Sequence, residues 1–276
     1  MHIYRNILLQ GANDKPFLLD AYYDHPDDTQ AIALFVHGFK GFKDWGIWDL
    51  MARQFAAANC AFVKFNFSHN GTTLKQTTYH ADLEAFGQNN YSFERFDIQQ
   101  AINWIKTTLP PVPLYLIGHS RGGAISIVEA ASRDDLAGII TWASVSRLDY
   151  AWQKPNFIED WKQAGKYTVT NGRTGQIMPL YFQLYEDFAA NQAAYDVSSA
   201  IKKLKVPVLI IHGDDDPAIS HTAAHSLYAW ATTTRKLSIL KGANHVFGGS
   251  HPYKQPTLPN HAQKVVDTSL SFIFGT

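Results

Sequence analysis

The chain has 276 residues, 46% of them hydrophobic and 17% charged, with Lys plus Arg equal to Asp plus Glu at 24 each. That length fits one large domain with a substantial core. The balanced charge excludes the basic footprint of a nucleic-acid binder or an anionic-membrane binder. Cys60 is the single cysteine, which excludes an intrachain disulfide; at the head of an apolar run it reads as a small buried hydrophobe. No signal-peptide pattern opens the chain, and no apolar stretch nears the roughly 20 residues of a membrane span, so the expected location is cytoplasmic.

Short apolar runs alternate with helical patterns. Ile3–Leu9 and Phe17–Tyr23 read as two strands joined by the turn Gly11–Asp14, an antiparallel edge. Ile32–Val36 is continuously apolar, as in a strand buried on both faces. A helix over Asp49–Asn59, a strand over Ala61–Phe67 and a helix over Phe93–Leu109 follow. The strand Leu114–Ile117 leads to a helix from Ser120 to about Ser132, and Ala137–Ala143 is again a strand. Val206–Ile211 and Lys236–Leu240 are the last strands, with a helix over Ser220–Thr232 between them; Pro259–Ile273 is the closing helix. This alternation predicts an α/β fold, a mostly parallel twisted sheet with helices on both faces.

Two segments break the rhythm. Residues 147–200 show no clean strand pattern and are rich in aromatics, with nine between Trp152 and Tyr195 inclusive. They are expected to be a cap inserted into a core made of 1–146 and 201–276. Ser68–Tyr91 is long and irregular, which in a compact domain points to function or mobility.

The strongest local signal is Gly118-His119-Ser120-Arg121-Gly122, a G-x-S-x-G run directly after a strand and directly before a helix. That context is the one a nucleophile elbow needs: the tight turn lifts the Ser120 hydroxyl above the strand end, and the helix N-terminus favours negative charge there. A serine needs a base. His245, just after the last strand, falls on the rim where Ser120 lies; His251, further along a Gly/Pro-rich loop, is the competitor. The orienting acid should precede the histidine, and Asp214, Asp215 and Asp216 all follow the strand Val206–Ile211. The oxyanion donors are expected to be the N–H of Arg121, next to the nucleophile, and that of Phe39 in His37-Gly38-Phe39-Lys40-Gly41. His221 and His225 have helical i, i+4 spacing, but His-Thr-Ala-Ala-His lacks the Glu of a zinc-protease helix, so no metal is expected. No P-loop or dinucleotide fingerprint is present, so no cofactor is expected either.

These residues resemble the α/β-hydrolase superfamily over nearly the whole chain. They are similar to its cinnamoyl/feruloyl esterases, its dienelactone-hydrolase-like proteins, and the catalytic domains of acylaminoacyl- and prolyl-oligopeptidases. Gly213-Asp214-Asp215-Asp216-Pro217-Ala218-Ile219 resembles the family's G-x-x-D-x-x-V acid motif, and that match selects Asp216. Gly242–Phe247 resembles its histidine loop. Phe65–Gly71 stands where many members have Asp-x-Arg-Gly-x-Gly, and departs from it. The resemblance implies a serine hydrolase cleaving a small carboxylic ester through an acyl-enzyme, with Ser120, His245 and Asp216 as triad. A peptidase, amidase or thioesterase using the same triad, and a non-catalytic ligand-binding member, are the competing readings. The aromatic insertion suggests an apolar or aromatic substrate group; Arg121, Lys40 and Arg147 offer a substrate carboxylate instead, and the sequence leaves both open.

Overall fold

The computed structural model describes residues 1–276. Strands β1 (His2–Gln10), β2 (Pro16–Tyr23), β3 (Ala31–Val36), β4 (Cys60–Phe65), β5 (Leu114–His119), β6 (Gly138–Trp142), β9 (Val208–Gly213) and β10 (Arg235–Leu240) form one sheet. Its order is β1-β2-β4-β3-β5-β6-β9-β10. β1 and β2 are antiparallel, and β2 joins β4 antiparallel; every pairing from β4 to β10 is parallel. The edge strand β1 is mostly exposed, whereas all six residues of β3, and all six of β4, are buried.

Side chains alternate across the pleat, so each central strand feeds two cores. Ile32, Leu34 and Val36 face one layer with α3 (Tyr91–Thr108), α4 (Arg121–Ala130) and α8 (Thr222–Trp230). Ala33 and Phe35 face the other, where α1 (Trp48–Ala57) and α9 (Asn260–Phe274) pack with Trp142. Cys60 is buried in that second layer, and burial pushes its thiol well above the usual range. No helix is long and apolar enough to cross a membrane.

Between β6 and β9 the chain leaves the sheet. It forms α5 (Phe157–Ala164), a separate antiparallel hairpin of β7 (Lys166–Thr170) and β8 (Ile177–Tyr181), α6 (Gln183–Ala190) and α7 (Val197–Lys202). The hairpin forms although the sequence of this stretch shows no clean strand pattern. β7 is almost wholly exposed, so no buried face imposes an alternating pattern on its sequence. The insertion's aromatics pack on one another: Trp152 meets Trp161, Tyr185 and Phe188 at ring separations of 5.6, 5.9 and 5.2 Å, and Trp161 meets Phe182 at 5.8 Å. α7 straddles the expected boundary at residue 200 and packs against α4 and α8. Within the irregular stretch after β4, a short helix, α2 (Leu83–Gln88), lies against β8, and the Tyr181 hydroxyl donates to Glu84 Oε2 at 2.5 Å.

Candidate active site

Ser120 stands between β5 and α4 with φ 55° and ψ −124°, a conformation non-glycine residues rarely adopt. Neighbouring backbone enforces it. A Cβ on Gly122 would lie 2.3 Å from Val36 O, and one on Gly38 would lie 2.8 Å from Ser120 Cβ. Both positions exclude a side chain because the β3 loop crosses directly over the elbow. Ser120 N donates to Trp142 O at 2.9 Å, which ties the turn to β6. Ser120 itself is 8% exposed, at the floor of a cleft of about 230 Å³.

His245 borders the same cleft. Its loop is a compact turn in which Asn244 Oδ1 accepts from the N–H groups of Val246 and Gly248, at 3.2 and 2.9 Å. His245 Nδ1 donates to Asp216 Oδ2 at 2.7 Å, which leaves Nε2 without a protein partner. Of the three adjacent aspartates, Asp216 is thus the one that meets His245. Asp214 Oδ1 instead accepts from Gly242 N at 2.6 Å and braces the histidine loop, and Asp215 donates its N–H to Ala243 O at 3.2 Å. His251 faces away from this pairing, accepting from Gly46 N at 2.8 Å.

The Asp216 side chain is fully buried. Burial alone would raise its carboxyl, but hydrogen bonds from His212 and His245 and from the Ile219 N–H hold it below the usual carboxylate range. Its Oδ1 accepts from Ala218 N and Ile219 N at 2.8 and 2.9 Å. His212 Nε2 lies 3.1 Å from Asp216 Oδ2 and 3.0 Å from Ile219 O. Both are acceptors, so Nε2 carries the hydrogen; Nδ1 is buried without a partner. His212 is a second donor to the acid that the sequence did not reveal, because inside the apolar strand β9 it reads as one more core position. His212→Ala is expected to lower stability by about 1.5–3 kcal/mol, the worth of a hydrogen bond to a charged group. Denaturant unfolding checks this, and an unchanged midpoint would refute it.

His119, the second residue of the G-x-S-x-G run, also has a positioning role. Its Nε2 donates to His245 O at 2.9 Å, and its ring lies 4.9 Å from that of His245. Burial lowers the His119 pKa to about 3, so it holds the loop as a neutral donor.

The β3 loop presents Phe39 beside the serine. Gly41 N donates to Gly38 O at 2.9 Å, and Lys40 takes φ 58°, so Phe39 sits at the tip of a tight turn. His37 anchors this turn from beneath. Its Nε2 accepts from Phe67 N at 3.3 Å, which leaves Nδ1–H to donate to Gly38 O at 2.9 Å. Burial lowers the His37 pKa to about 3. The backbone N–H groups of Phe39 and Arg121 donate to no acceptor in the protein.

Residues 65–71 do not border the cleft; they support the loop. Asn66 Oδ1 accepts from Lys43 N at 2.7 Å, and Asn70 Nδ2 donates to Gly41 O at 3.2 Å. The Arg121 guanidinium is buried against Glu94, Nη2 to Oε1 at 2.5 Å, and Arg147 pairs with Asp149 at 2.8 Å. Neither cation is therefore free for a substrate, which corrects two of the three candidates. The cleft walls are Phe39, Trp45 and Trp48, with Asn171 and Arg173 from the β7–β8 turn. None of the insertion's aromatics borders it.

One group of carboxylates elsewhere, Asp20, Asp44 and Asp49, lies within 4.8 Å of mutual approach. Ammonium groups already fill it: Lys43 Nζ is 2.8 Å from Asp20, and Lys64 Nζ is 3.0 and 2.7 Å from Asp44 and Asp49.

Residues 33–255 match the model of a family described as alpha/beta hydrolase family. A monoglyceride lipase homolog of Monkeypox virus is 26% identical over 171 residues, 54% of this chain and 61% of that protein. The monoglyceride lipase of Rattus norvegicus is 28% identical over 120 residues, 44% of this chain and 36% of that protein. The chain thus spans less than two thirds of the length of these curated relatives. Est1E from Butyrivibrio proteoclasticus, solved with ferulic acid bound, superposes with a TM-score of 0.67 at 17% identity, covering 98% of each chain. At that identity the likeness is one of fold.

Proposed function

The chain belongs to the alpha/beta hydrolase family, and from that premise we propose that it is a serine esterase cleaving a small carboxylic ester through an acyl-enzyme. The observation that carries this reading is the Asp216–His245 hydrogen bond of 2.7 Å, on the rim of a cleft that also holds the strained Ser120. In the proposed mechanism His245 Nε2 removes the Ser120 proton as Oγ attacks the ester carbonyl. Asp216 keeps the imidazole in the tautomer that does this and stabilises the imidazolium. The unpartnered N–H groups of Phe39 and Arg121 receive the oxyanion. The alcohol leaves with a proton from His245, and water then attacks the acyl-enzyme with His245 again as base. Ser120 Oγ and His245 Nε2 are not hydrogen-bonded to each other in this structure; such contacts commonly tighten only with substrate in place.

The reading is supported by the names of the relatives, a monoglyceride lipase homolog and a monoglyceride lipase, and by Est1E, seen with ferulic acid bound. It takes residues 147–200 as a cap whose hairpin turn roofs the cleft and whose α7 anchors it to the core. A fluorophosphonate probe, read by intact mass, tests the assignment. One adduct is expected on the wild type and none on Ser120→Ala. A folded wild-type protein that takes no adduct would refute the activated serine.

A further inference from the structure

The chain as a whole carries equal numbers of acidic and basic side chains, but its cleft does not. Lys40 and Arg173 border it, and no Asp or Glu does. Lys40 extends from the tight turn that presents Phe39, and its Nζ donates to Thr170 O at 3.3 Å, so it lies where that turn meets the hairpin. Arg173 sits in the hairpin turn itself, its guanidinium 5.4 Å over the Phe42 ring. Neither cation has a carboxylate within 4 Å, unlike Arg121 and Arg147, which are both paired. Burial lowers the pKa of each, the mark of a cation partly removed from water without a counter-charge.

A third group of the same hairpin faces the same need. Asn171 is 5% exposed and borders the cleft. Its Oδ1 accepts from Arg173 N at 3.1 Å, which fixes the amide's orientation and leaves Nδ2 as the donor without a partner. That Nδ2 is buried and has no acceptor in the protein. Buried polar atoms almost always have partners, so an orphaned donor at a cleft wall calls for an acceptor from the substrate. Two unpaired cations and one unpaired N–H donor converge on the cleft, with no opposing carboxylate. An apolar substrate group would offer none of the three an acceptor.

We infer that the ester carries an anionic group, a carboxylate or comparable oxyanion, held between Lys40, Arg173 and Asn171 Nδ2 while its carbonyl lies at Ser120. This inference rests on the esterase reading and deepens it. The aromatic walls Phe39, Trp45 and Trp48 then take the remainder of the substrate, and the hairpin acts as a charge filter over the site.

Paired chromogenic esters test it. Mono-4-nitrophenyl glutarate against its methyl ester places the charge on the acyl side, and 4-acetoxybenzoate against its methyl ester places it on the alcohol side. With each kcat/KM normalised to uncatalysed hydrolysis, the anionic member of at least one pair is expected to lead by about tenfold or more at low salt. The lead should shrink at high ionic strength, where the cleft-mouth charges are screened. In the Lys40→Gln/Arg173→Gln double variant, shown folded by circular dichroism, the ratio is expected to fall to about one. Asn171→Ala should reduce it in part. A wild-type ratio near or below one in both pairs, with the neutral esters turned over, would overturn the anion preference and leave the esterase standing. A preference that survives in the double variant would overturn the assigned residues. Turnover of no ester would overturn both the inference and the reading beneath it.

Discussion

Asp216→Asn is expected to lower kcat for an aryl ester by about 10⁴-fold while leaving the fold in place, the loss seen when the acid of a serine triad becomes an amide. The two oxygens of Asp216 do different work. Oδ1 accepts from the N–H groups of Ala218 and Ile219, and an asparagine oxygen can keep both bonds. Oδ2 faces two imidazole donors, His245 Nδ1 at 2.7 Å and His212 Nε2 at 3.1 Å. An asparagine that keeps its oxygen toward Ala218 and Ile219 must aim its NH₂ at those two nitrogens. His245 can then answer only by becoming an acceptor at Nδ1, which moves its proton to Nε2 and abolishes its use as a base toward Ser120. Steady-state kinetics on the variant check this, and retention of more than about a tenth of wild-type kcat would remove Asp216 from the mechanism.

The same substitution should flatten the acid limb of the stability curve. The Asp216 carboxyl lies below its ordinary range in the folded protein, so its stabilisation is complete above the unfolded value of about 3.9 and is lost as pH falls further. An asparagine has no such proton to take up. Unfolding followed between neutral and acid pH is therefore expected to fall less steeply below pH about 4 in Asp216→Asn than in the wild type.

The features that could be read in advance are those whose cause is local. β3 and β4 are buried on both faces, so continuous apolar runs mark them, and β5 runs straight into the glycine-flanked serine. The chemistry of the elbow restricts each neighbouring residue, which is why Gly118–Gly122 is legible. The proposed site residues Phe39, Arg121, Asp216 and His245 are read from their places after strands in a parallel sheet, with the motif resemblance deciding among the three aspartates. The missed features depend on partners distant in sequence. Glu94 lies 27 residues before Arg121, on a different helix, and nothing near either residue announces the pair. His212 is concealed by an otherwise apolar strand. The first hairpin strand, β7, carries no buried face, and the turn after it, Asn171-Gly172-Arg173, looks like any surface turn until the fold lays it across the cleft. For the same reason the aromatic richness of the insertion misdirects. Those rings pack on one another and onto the main core, and the residues that meet the cleft are the polar ones at the insertion's tip.

Glu94→Ala is expected to cost about 3–5 kcal/mol of stability, the penalty for stranding one member of a buried ion pair. Glu94 is 1% exposed and Arg121 is 7% exposed. Burial pushes the Glu94 carboxyl up, and the adjacent Arg121 charge and the Asn89 amide, at 2.8 Å, oppose that rise. Without the carboxylate, the guanidinium keeps only aromatic faces, Phe39 at 4.6 Å and Tyr91 at 5.7 Å. These recover part of the loss at most, since a desolvated cation–π contact is worth about 2 kcal/mol. Glu94→Gln retains the shape and an acceptor for Arg121, so it should cost less than Glu94→Ala; equal losses would mean that charge, not packing, sets the penalty. Denaturant unfolding at constant m separates the two variants. The effect should also reach the chemistry. Arg121 opens α4 immediately after Ser120, and its guanidinium lies beneath the Phe39 ring, so the pair clamps the two backbone segments proposed to receive the oxyanion. A drop in kcat for Glu94→Gln, with KM for a neutral ester little changed, is the signature of that clamp, because the oxyanion exists only after the substrate has bound.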